Sequence, residues 1–303
     1  MLTRQQHQGV VWIDLEAPTN EEVHSVMEEF SIDPLVGEEM LLPSTKPKVD
    51  QYDHYLYLIL HFPALKHTHQ KDKQEVNFII GKEFLITVHY DTIDPMHAFA
   101  KIFEVNATLN KSAVGNHAGF LFFYMIKKLY GTVEQELEHI HTTLEEIEVS
   151  VFQGHEKEMV SALSNVSRDV LNFKQAISMH KEIIELFEVS GTAFFGEDFR
   201  GQLRAVAHER NRVLYQLDTN CDFLHELRET NNSLLFTKQN EAMKIIAILA
   251  FVTFPLSLIA SVFSMNTVHT PIVGAPGDFW IIFVAMALVT FSMVIFFKYK
   301  KWL

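Results

Sequence analysis

The sequence has one cysteine among 303 residues, Cys221, and this excludes an intrachain disulfide. A lone thiol fits a reducing compartment. Cys221 is better interpreted as a small packed residue than as a reactive group. Basic residues are also few: the chain has 25 Lys and Arg and 38 Asp and Glu, which give a formal net charge of −13. A nucleic-acid partner requires a basic face, so this balance argues against one.

Catalytic motifs are missing as well. The chain has no Gly-rich phosphate loop, no nucleophile elbow and no metalloprotease helix. Two histidine pairs, His67 with His69 and His139 with His141, are spaced two residues apart, which on a helix points the side chains away from each other. The sequence therefore predicts a protein that is not an enzyme and that needs no cofactor.

Two stretches near the C-terminal end, 245–263 and 279–297, contain no charged residue. As helices, each is long enough to cross a hydrocarbon core of about 30 Å at about 1.5 Å per residue. Buried core helices are the alternative interpretation, but apolar runs of that kind are usually shorter. The two stretches are therefore predicted to span a membrane, so the lipid bilayer is an expected partner.

The loop between the spans, 264–278, contains no Lys or Arg, whereas basic residues lie at the other end of each span. By the positive-inside rule both termini are then cytoplasmic and the loop faces outward. The N-terminus also lacks the apolar segment of a signal peptide. We expect a multi-pass protein of the plasma membrane or inner membrane. The basic residues are Lys238, Lys244, Lys298, Lys300 and Lys301.

The first 90 residues have the alternation of a mixed sheet with helices beside it. Long helical periodicity follows and predicts one helix at about 115–152 and a second at about 157–189. A further helix is expected to start at a Thr19 or Asn20 cap and to end near Phe30. The predicted strands are 10–16, 48–51, 55–62, 75–80 and 83–89.

The first long helix carries six glutamates with no Lys or Arg between them. Such a run is typical of a solvated helix face. The other interpretation is a weak sink for divalent ions, which requires carboxylates from several helices or subunits to converge. The residues are Glu134, Glu136, Glu138, Glu145, Glu146 and Glu148.

From about 202 to 263 there is no Gly, and Pro255 is the one Pro, so a stalk helix can continue directly into the first span. At about 1.5 Å per residue this rod measures on the order of 90 Å and needs partner helices, which identical subunits can supply. The predicted segments are a cytoplasmic domain (1–200), a stalk (201–240), the spans (241–263 and 279–297) with their outer loop (264–278), and a basic tail (298–303).

One stripe of the first span carries mostly small or hydroxyl-bearing residues at helical spacing. It is interpreted either as a packing surface for neighbouring helices or as a pore lining. The end of the helix favours a pore, because its last carbonyls lack partners and carry the negative end of the helix dipole. Asn266 adds a neutral amide oxygen there, which suits magnesium because this ion gives up its water reluctantly. The stripe comprises Met243, Ala247, Ala250, Phe254, Ser257, Ser261 and Ser264.

The segment Ser-Met-Asn at 264–266 resembles the Gly-Met-Asn signature that ends the first span in the CorA magnesium transporter family. The segments 240–244 and 255–259 and the basic tail also resemble that family. In the N-terminal part, Trp12-Ile-Asp-Leu-Glu-Ala-Pro and Phe84-Leu-Ile-Thr-Val-His are similar to its cytoplasmic domain. The resemblance thus covers nearly the whole chain.

This resemblance implies a funnel-shaped homopentamer that conducts divalent cations. An α+β cytoplasmic domain, a mixed sheet between helices, would lead into the long stalk helix and the two spans, the first of which lines the pore. The selectivity filter would be Ser264, Met265 and Asn266, with Asn266 holding magnesium through its water shell; cobalt, nickel and zinc are further candidate ions. The implied pore-lining residues are Asn240, Met243, Ile246, Ala250, Phe254, Ser257 and Ser261, with Ile246 in place of the Ala247 that bare periodicity selects.

The chain departs from the family at three places. Ser264 replaces the signature Gly, and its side chain is expected to narrow the entrance or to donate a hydrogen bond towards Asn266. The outer loop lacks an acidic residue at 267–271, for which Asp278 is a partial substitute. In the stalk, Ala205 and His208 stand where acidic residues that sense magnesium are expected. His208 with Glu209 is therefore a candidate regulatory site for a softer metal such as zinc.

Two alternative functions stay open at this point. One is a zinc transporter of the ZntB-like branch, whose signature carries Val where this chain has Met265. The other is a membrane scaffold or metal sensor that does not conduct. Replacement of Asn266 separates conduction from scaffolding, because only a transporter loses flux.

Overall fold

The computed structural model describes residues 1–44, 46–63, 73–108, 117–265, 272–274 and 276–300. The chain forms two compact units, Met1–Arg228 and Glu229–Leu303.

A six-stranded mixed sheet lies at the centre of the first unit, in the order β1-β2-β6-β5-β4-β3. The β2 and β6 strands pair in parallel, and every other neighbouring pair is antiparallel. The strands are β1 (Leu2–His7), β2 (Val10–Glu16), β3 (Lys48–Gln51), β4 (Tyr55–Pro63), β5 (Lys73–Gly81) and β6 (Phe84–His89).

All five predicted strands are confirmed. The strand β1 was not predicted, because Leu-Thr-Arg-Gln-Gln-His has too few apolar residues to show alternation. It forms the edge of the sheet and is held by its antiparallel pairing with β2. This strand therefore forms because it pairs with its neighbour, and the apolar pattern of a single strand carries no information about such pairing.

Two short helices, α1 (Asn20–Phe30) and α2 (Pro34–Glu39), cover one face of the sheet. The helix α1 starts with a capping box: the Thr19 hydroxyl accepts from the Glu22 N–H, and the Glu22 carboxylate accepts from the Thr19 N–H. Of the two predicted cap positions, Thr19 is therefore the one that caps the helix, and Asn20 is its first residue. Val23, Val26 and Val36 pack from these helices onto Tyr57 and Ile86 of the sheet.

Four longer helices cover the opposite face: α3 (Asp94–Thr108), α4 (Ala118–Phe152), α5 (Glu156–Ile177) and α6 (His180–Phe195). Trp12 of β2 contacts the rings of Phe99 and Phe103 in α3, and Phe78 of β5 contacts Phe122 of α4. The mixed sheet between helices is thus confirmed.

The single helix predicted at 157–189 is wrong, because the chain breaks at Ser178–Met179 into α5 and α6. The break places His180 in the interior with no exposed surface. Its Nε2 lies 2.8 Å from the His61 carbonyl oxygen, which can only accept, so Nε2 carries the proton and Nδ1 accepts from the Tyr130 hydroxyl at 2.9 Å. Both residues at the break keep right-handed helical dihedrals, so no Gly or Pro signals it.

Two apolar helices follow, α7 (Arg200–Phe263) and α8 (Asp278–Tyr299). Each contains an 18-residue window of high mean hydropathy, 2.5 and 2.6, and 0% of either window is buried within the chain. Core helices of a soluble protein would be buried, so the membrane interpretation is favoured. The continuous helix predicted from about 202 to 263 is confirmed.

Candidate functional site

One side of the C-terminal half of α7 packs towards α8. Its members recur at the spacing of one helical face and are buried or partly buried, and the rings of Phe251 and Phe297 lie 6.4 Å apart at one end of the pair. Leu256 shares an apolar groove with Phe283 and Met286 of α8. The covered residues of α7 are Ile248, Val252, Pro255, Leu256, Ile259 and Phe263.

The stripe predicted to line a pore lies on the other side of α7. At about 100° per residue, its centre is rotated by about 180° from the covered side. Met243 is 62% exposed and Phe254 is 74% exposed. The remaining members, Asn240, Ala250, Ser257, Ser261 and Ser264, are exposed as well. Within one chain, nothing that the structure describes covers this stripe.

The structure separates the two residues proposed for one turn of that stripe. Ile246 is 62% exposed, whereas its neighbour Ala247 is partly buried. At about 100° per residue the two lie on opposite sides of the centre of the exposed stripe and about equally far from it. The greater exposure favours Ile246.

Every hydroxyl side chain between 245 and 264 lies on the exposed side, and one of them was not predicted. Thr253 is exposed next to the stripe, although its hydroxyl donates to the Leu249 carbonyl at 2.9 Å. Back-bonding of this kind lets a hydroxyl sit in an apolar helix without an unsatisfied donor. The signal for Thr253 was its position one turn before Ser257.

At the end of α7, the Ser264 hydroxyl donates to the Ser261 carbonyl at 3.1 Å, back into its own helix. The Val262 carbonyl accepts from the Met265 N–H at 3.3 Å. Carbonyls predicted to lack partners are thus partly satisfied within the helix, because a serine at this place brings a donor that glycine lacks.

The decisive residue of the filter prediction, Asn266, lies outside the described residues, as do 267–271. Met265 is exposed at the end of α7. Asp278 accepts hydrogen bonds from the Gly274 N–H at 3.0 Å and from the Phe279 N–H at 2.7 Å. Its carboxylate therefore satisfies backbone N–H groups at the start of α8. Its role in attracting cations stays a prediction.

The two residues of the candidate regulatory site, His208 and Glu209, lie in different surroundings in the first unit. His208 is exposed, whereas Glu209 lies 3.5 Å from the Lys127 ammonium and 3.3 Å from the Arg212 guanidinium. Two cations thus neutralise Glu209, and adjacent helical positions point about 100° apart. Within the described part of one chain, no group of three or more His, Cys, Asp or Glu side chains is arranged to hold a metal ion.

The acidic helix α4 contributes to a different feature, a ladder of polar contacts with α7. Arg212 binds Glu134, and the Gln216 amide donates to Glu138 at 2.9 Å. The Asn220 side chain accepts from His141 at 3.0 Å and donates to the Leu137 carbonyl at 2.8 Å. The ladder was missed, although its partners recur about every fourth residue on both helices, which was the available signal.

A sequence model of the family described as "CorA-like Mg2+ transporter protein" matches residues 7–300. This chain belongs to that family. The CorA family consists of transporters and not of enzymes, and its members need no cofactor, as the sequence predicted.

Three relatives illustrate the match to the CorA family. The "Cobalt/magnesium transport protein CorA" of Thermotoga maritima is 25% identical over 293 residues, which cover 93% of this chain and 80% of that protein. The "Magnesium transport protein CorA" of Wolinella succinogenes is 23% identical over 312 residues, 97% and 92% of the two chains. The solved structure of the CorA magnesium transporter from Methanocaldococcus jannaschii superposes with a TM-score of 0.84 at 18% identity, covering 97% and 92%. This last likeness establishes the CorA fold, a mixed-sheet domain followed by a long helix and a second apolar helix.

Proposed function

We propose that this chain is the subunit of a homopentameric channel that conducts hydrated magnesium across a membrane. Membership of the CorA family supports the ion class. The observation that carries the proposal is the division of α7, in which α8 covers one side and the opposite side presents Ser257, Ser261 and Ser264. Several copies of α7 around an axis would turn these hydroxyls towards a water-filled path.

In the proposed pore, Met243 and Ile246 form a hydrophobic gate, because apolar constrictions block ions by excluding water. Asn266 forms the outer ring that binds magnesium through its water shell, together with Ser264 and Met265 at the end of α7. Cobalt and nickel are expected to enter by the same outer-sphere contacts. Both termini are proposed to be cytoplasmic, since Lys238, Lys244 and Lys298 flank the spans on one side.

Single cysteines along α7 test the proposed lining in proteoliposomes loaded with a magnesium-sensitive dye. The background is Cys221→Ser, which removes the one native thiol; burial raises the pKa of this partly buried group, so its loss is not expected to affect uptake. A charged methanethiosulfonate reagent should reduce magnesium uptake by on the order of tenfold in Ser257→Cys, Ser261→Cys and Ile246→Cys, since a bulky cation in a narrow pore obstructs conduction.

Matched controls are Ala247→Cys, beside Ile246, and Ile259→Cys on the side covered by α8. Both should keep their uptake after the reagent is added. Block of Ile259→Cys with no effect at Ser257→Cys and Ser261→Cys would place the conduction path on another surface and contradict the proposal.

We also propose that His208, with Glu209 beside it, senses a softer metal such as zinc. His208 is the available ligand, because Glu209 is already held by Lys127 and Arg212. His208→Ala should then raise the zinc concentration that halves magnesium uptake by about tenfold, the equivalent of losing about 1.4 kcal/mol of binding. His24→Ala, another exposed histidine of the first unit, is the control. An unchanged response to zinc, cobalt and magnesium refutes the site.

The two alternatives are not better supported than the magnesium channel. A ZntB-like zinc transporter should accumulate zinc in preference to magnesium in the same vesicles. A scaffold or sensor should give no flux of any divalent ion from protein shown to be folded and oligomeric.

A further inference from the structure

A cavity of about 400 Å³ opens in the first unit where β4 ends and β5 begins. The segment with Pro43, Ser44 and Pro47 forms one wall, and the end of α5 forms another with Ala176. His61, Glu75 and Tyr90 line it from the sheet side. None of these residues belongs to the proposed pore or to the His208 site.

Glu75 is the unusual member of this lining. It is 7% exposed, and neither carboxylate oxygen has a hydrogen-bond partner among the described residues. Among the described residues, it makes an ion-pair contact with His61 across the β4–β5 pair, with Nε2 at 3.3 Å from Oε2. A buried carboxylate without donors is costly, so this side chain favours a positively charged or hydrogen-bond-donating ligand.

Two donors in the cavity lining are directed to acceptors other than Glu75. His61 Nε2 lies 2.9 Å from the Ser44 carbonyl oxygen, which can only accept, so the Nε2 proton is directed there. The Tyr90 hydroxyl donates to the Glu39 carbonyl at 3.0 Å. Neither group therefore satisfies the Glu75 carboxylate.

We infer that this cavity binds one hydrated divalent cation in each subunit, with Glu75 as its anionic contact. Magnesium is commonly held by one or two carboxylates while it keeps several waters. Six waters at about 30 Å³ each occupy about 180 Å³, which fits the cavity. A site for a softer metal is disfavoured, because His61 Nε2 is engaged and no third ligand converges among the residues that the structure describes.

The site differs from the proposed pore in stoichiometry. An ion on the axis of an oligomer is shared by all subunits, whereas a site inside each soluble domain contributes one ion per chain. Counting bound ions per subunit therefore distinguishes the two without a transport assay.

The test uses Mn²⁺ as a spectroscopic substitute for magnesium and the full-length protein in detergent. Electron paramagnetic resonance of free Mn²⁺ gives the number of bound ions per subunit. Glu75→Gln, which removes the charge and keeps the shape, should lower this number by about one, and magnesium should displace that ion from the wild type. Glu83→Gln, the same change at an exposed position in the turn between β5 and β6, should leave the number unchanged.

A second variant guards against misfolding of Glu75→Gln. Ala176→Leu fills the cavity from the α5 wall without changing a charge, and it should also lose about one Mn²⁺ per subunit. Equal Mn²⁺ counts in the wild type and in either folded variant overturn the inference. The Asn266→Ala variant should retain the ion at Glu75 even if it no longer takes up magnesium. The ion count therefore tests this inference, and the uptake assay separately tests the channel proposal.

Discussion

Asn266→Ala should reduce magnesium uptake into proteoliposomes by at least about a hundredfold, the equivalent of about 2.7 kcal/mol at the filter. Hydrated magnesium is held by neutral oxygens around its water shell, and alanine removes the amide oxygen from every subunit at once. Uptake is measured with purified protein and a magnesium-sensitive dye inside the vesicles, and it is repeated with zinc and cobalt outside.

Asn232→Ala is the matched control, since Asn232 is an exposed asparagine of α7 that precedes the span. It should transport like the wild type. Undiminished flux through Asn266→Ala would remove the selectivity ring from the mechanism. Wild-type protein that is folded and oligomeric but conducts no divalent ion would instead favour the scaffold or sensor alternative.

His180→Ala should lower the free energy of unfolding of the soluble domain by about 3 kcal/mol. The substitution leaves a cavity in the interior, and it deprives the Tyr130 hydroxyl and the His61 carbonyl of their partner. Chemical denaturation followed by the fluorescence of Trp12, which is buried in the same unit, measures the loss. A loss within about 0.5 kcal/mol, typical of surface changes, would contradict the described contacts.

The same histidine should make stability depend on pH. Burial lowers the pKa of His180 to about 4, from an ordinary value of 6.5, so the unfolded chain binds the proton more readily. The stability contributed by the neutral ring is present above about pH 6.5 and is lost as the pH falls towards 4. Against His180→Gln, the stability advantage of the wild type should shrink by about 2 kcal/mol between about pH 7.5 and about pH 5. Because the pKa of His89 is shifted upwards in both proteins, its opposite contribution cancels in this difference.

Local patterns of the sequence predicted most of the fold. Alternation located five strands, and the Thr19 cap located the start of α1, because each depends on side chains within a few residues of one another. The strand β1 and the break before His180 were missed because each depends on a distant partner, β2 in one case and Tyr130 with His61 in the other.

In the candidate pore, too, local patterns predicted some features and missed those that depend on the surrounding structure. Helical spacing defined the stripe that contains Ser257 and Ser261, but it selected Ala247, whereas the greater exposure of Ile246 favours that residue. The hydrogen bond of Ser264 to its own helix was likewise not predictable, since a hydroxyl at that place has several acceptors within reach. The cavity at Glu75 is formed by two strands, the residues that follow β6, a loop and a helix, and no local pattern marks it.

The ladder between α4 and α7 has a mechanical consequence. Its partners on α7, Arg212, Gln216 and Asn220, are each four residues apart, and those on α4 follow in the same direction at nearly the same spacing. A slide of α7 by one helical turn, about 5.4 Å, would bring Gln216 to Glu134 and Asn220 to Glu138, whereas a shorter slide would leave these groups between partners. We therefore expect an axial movement of α7 against α4 within the first unit to be favoured in whole turns.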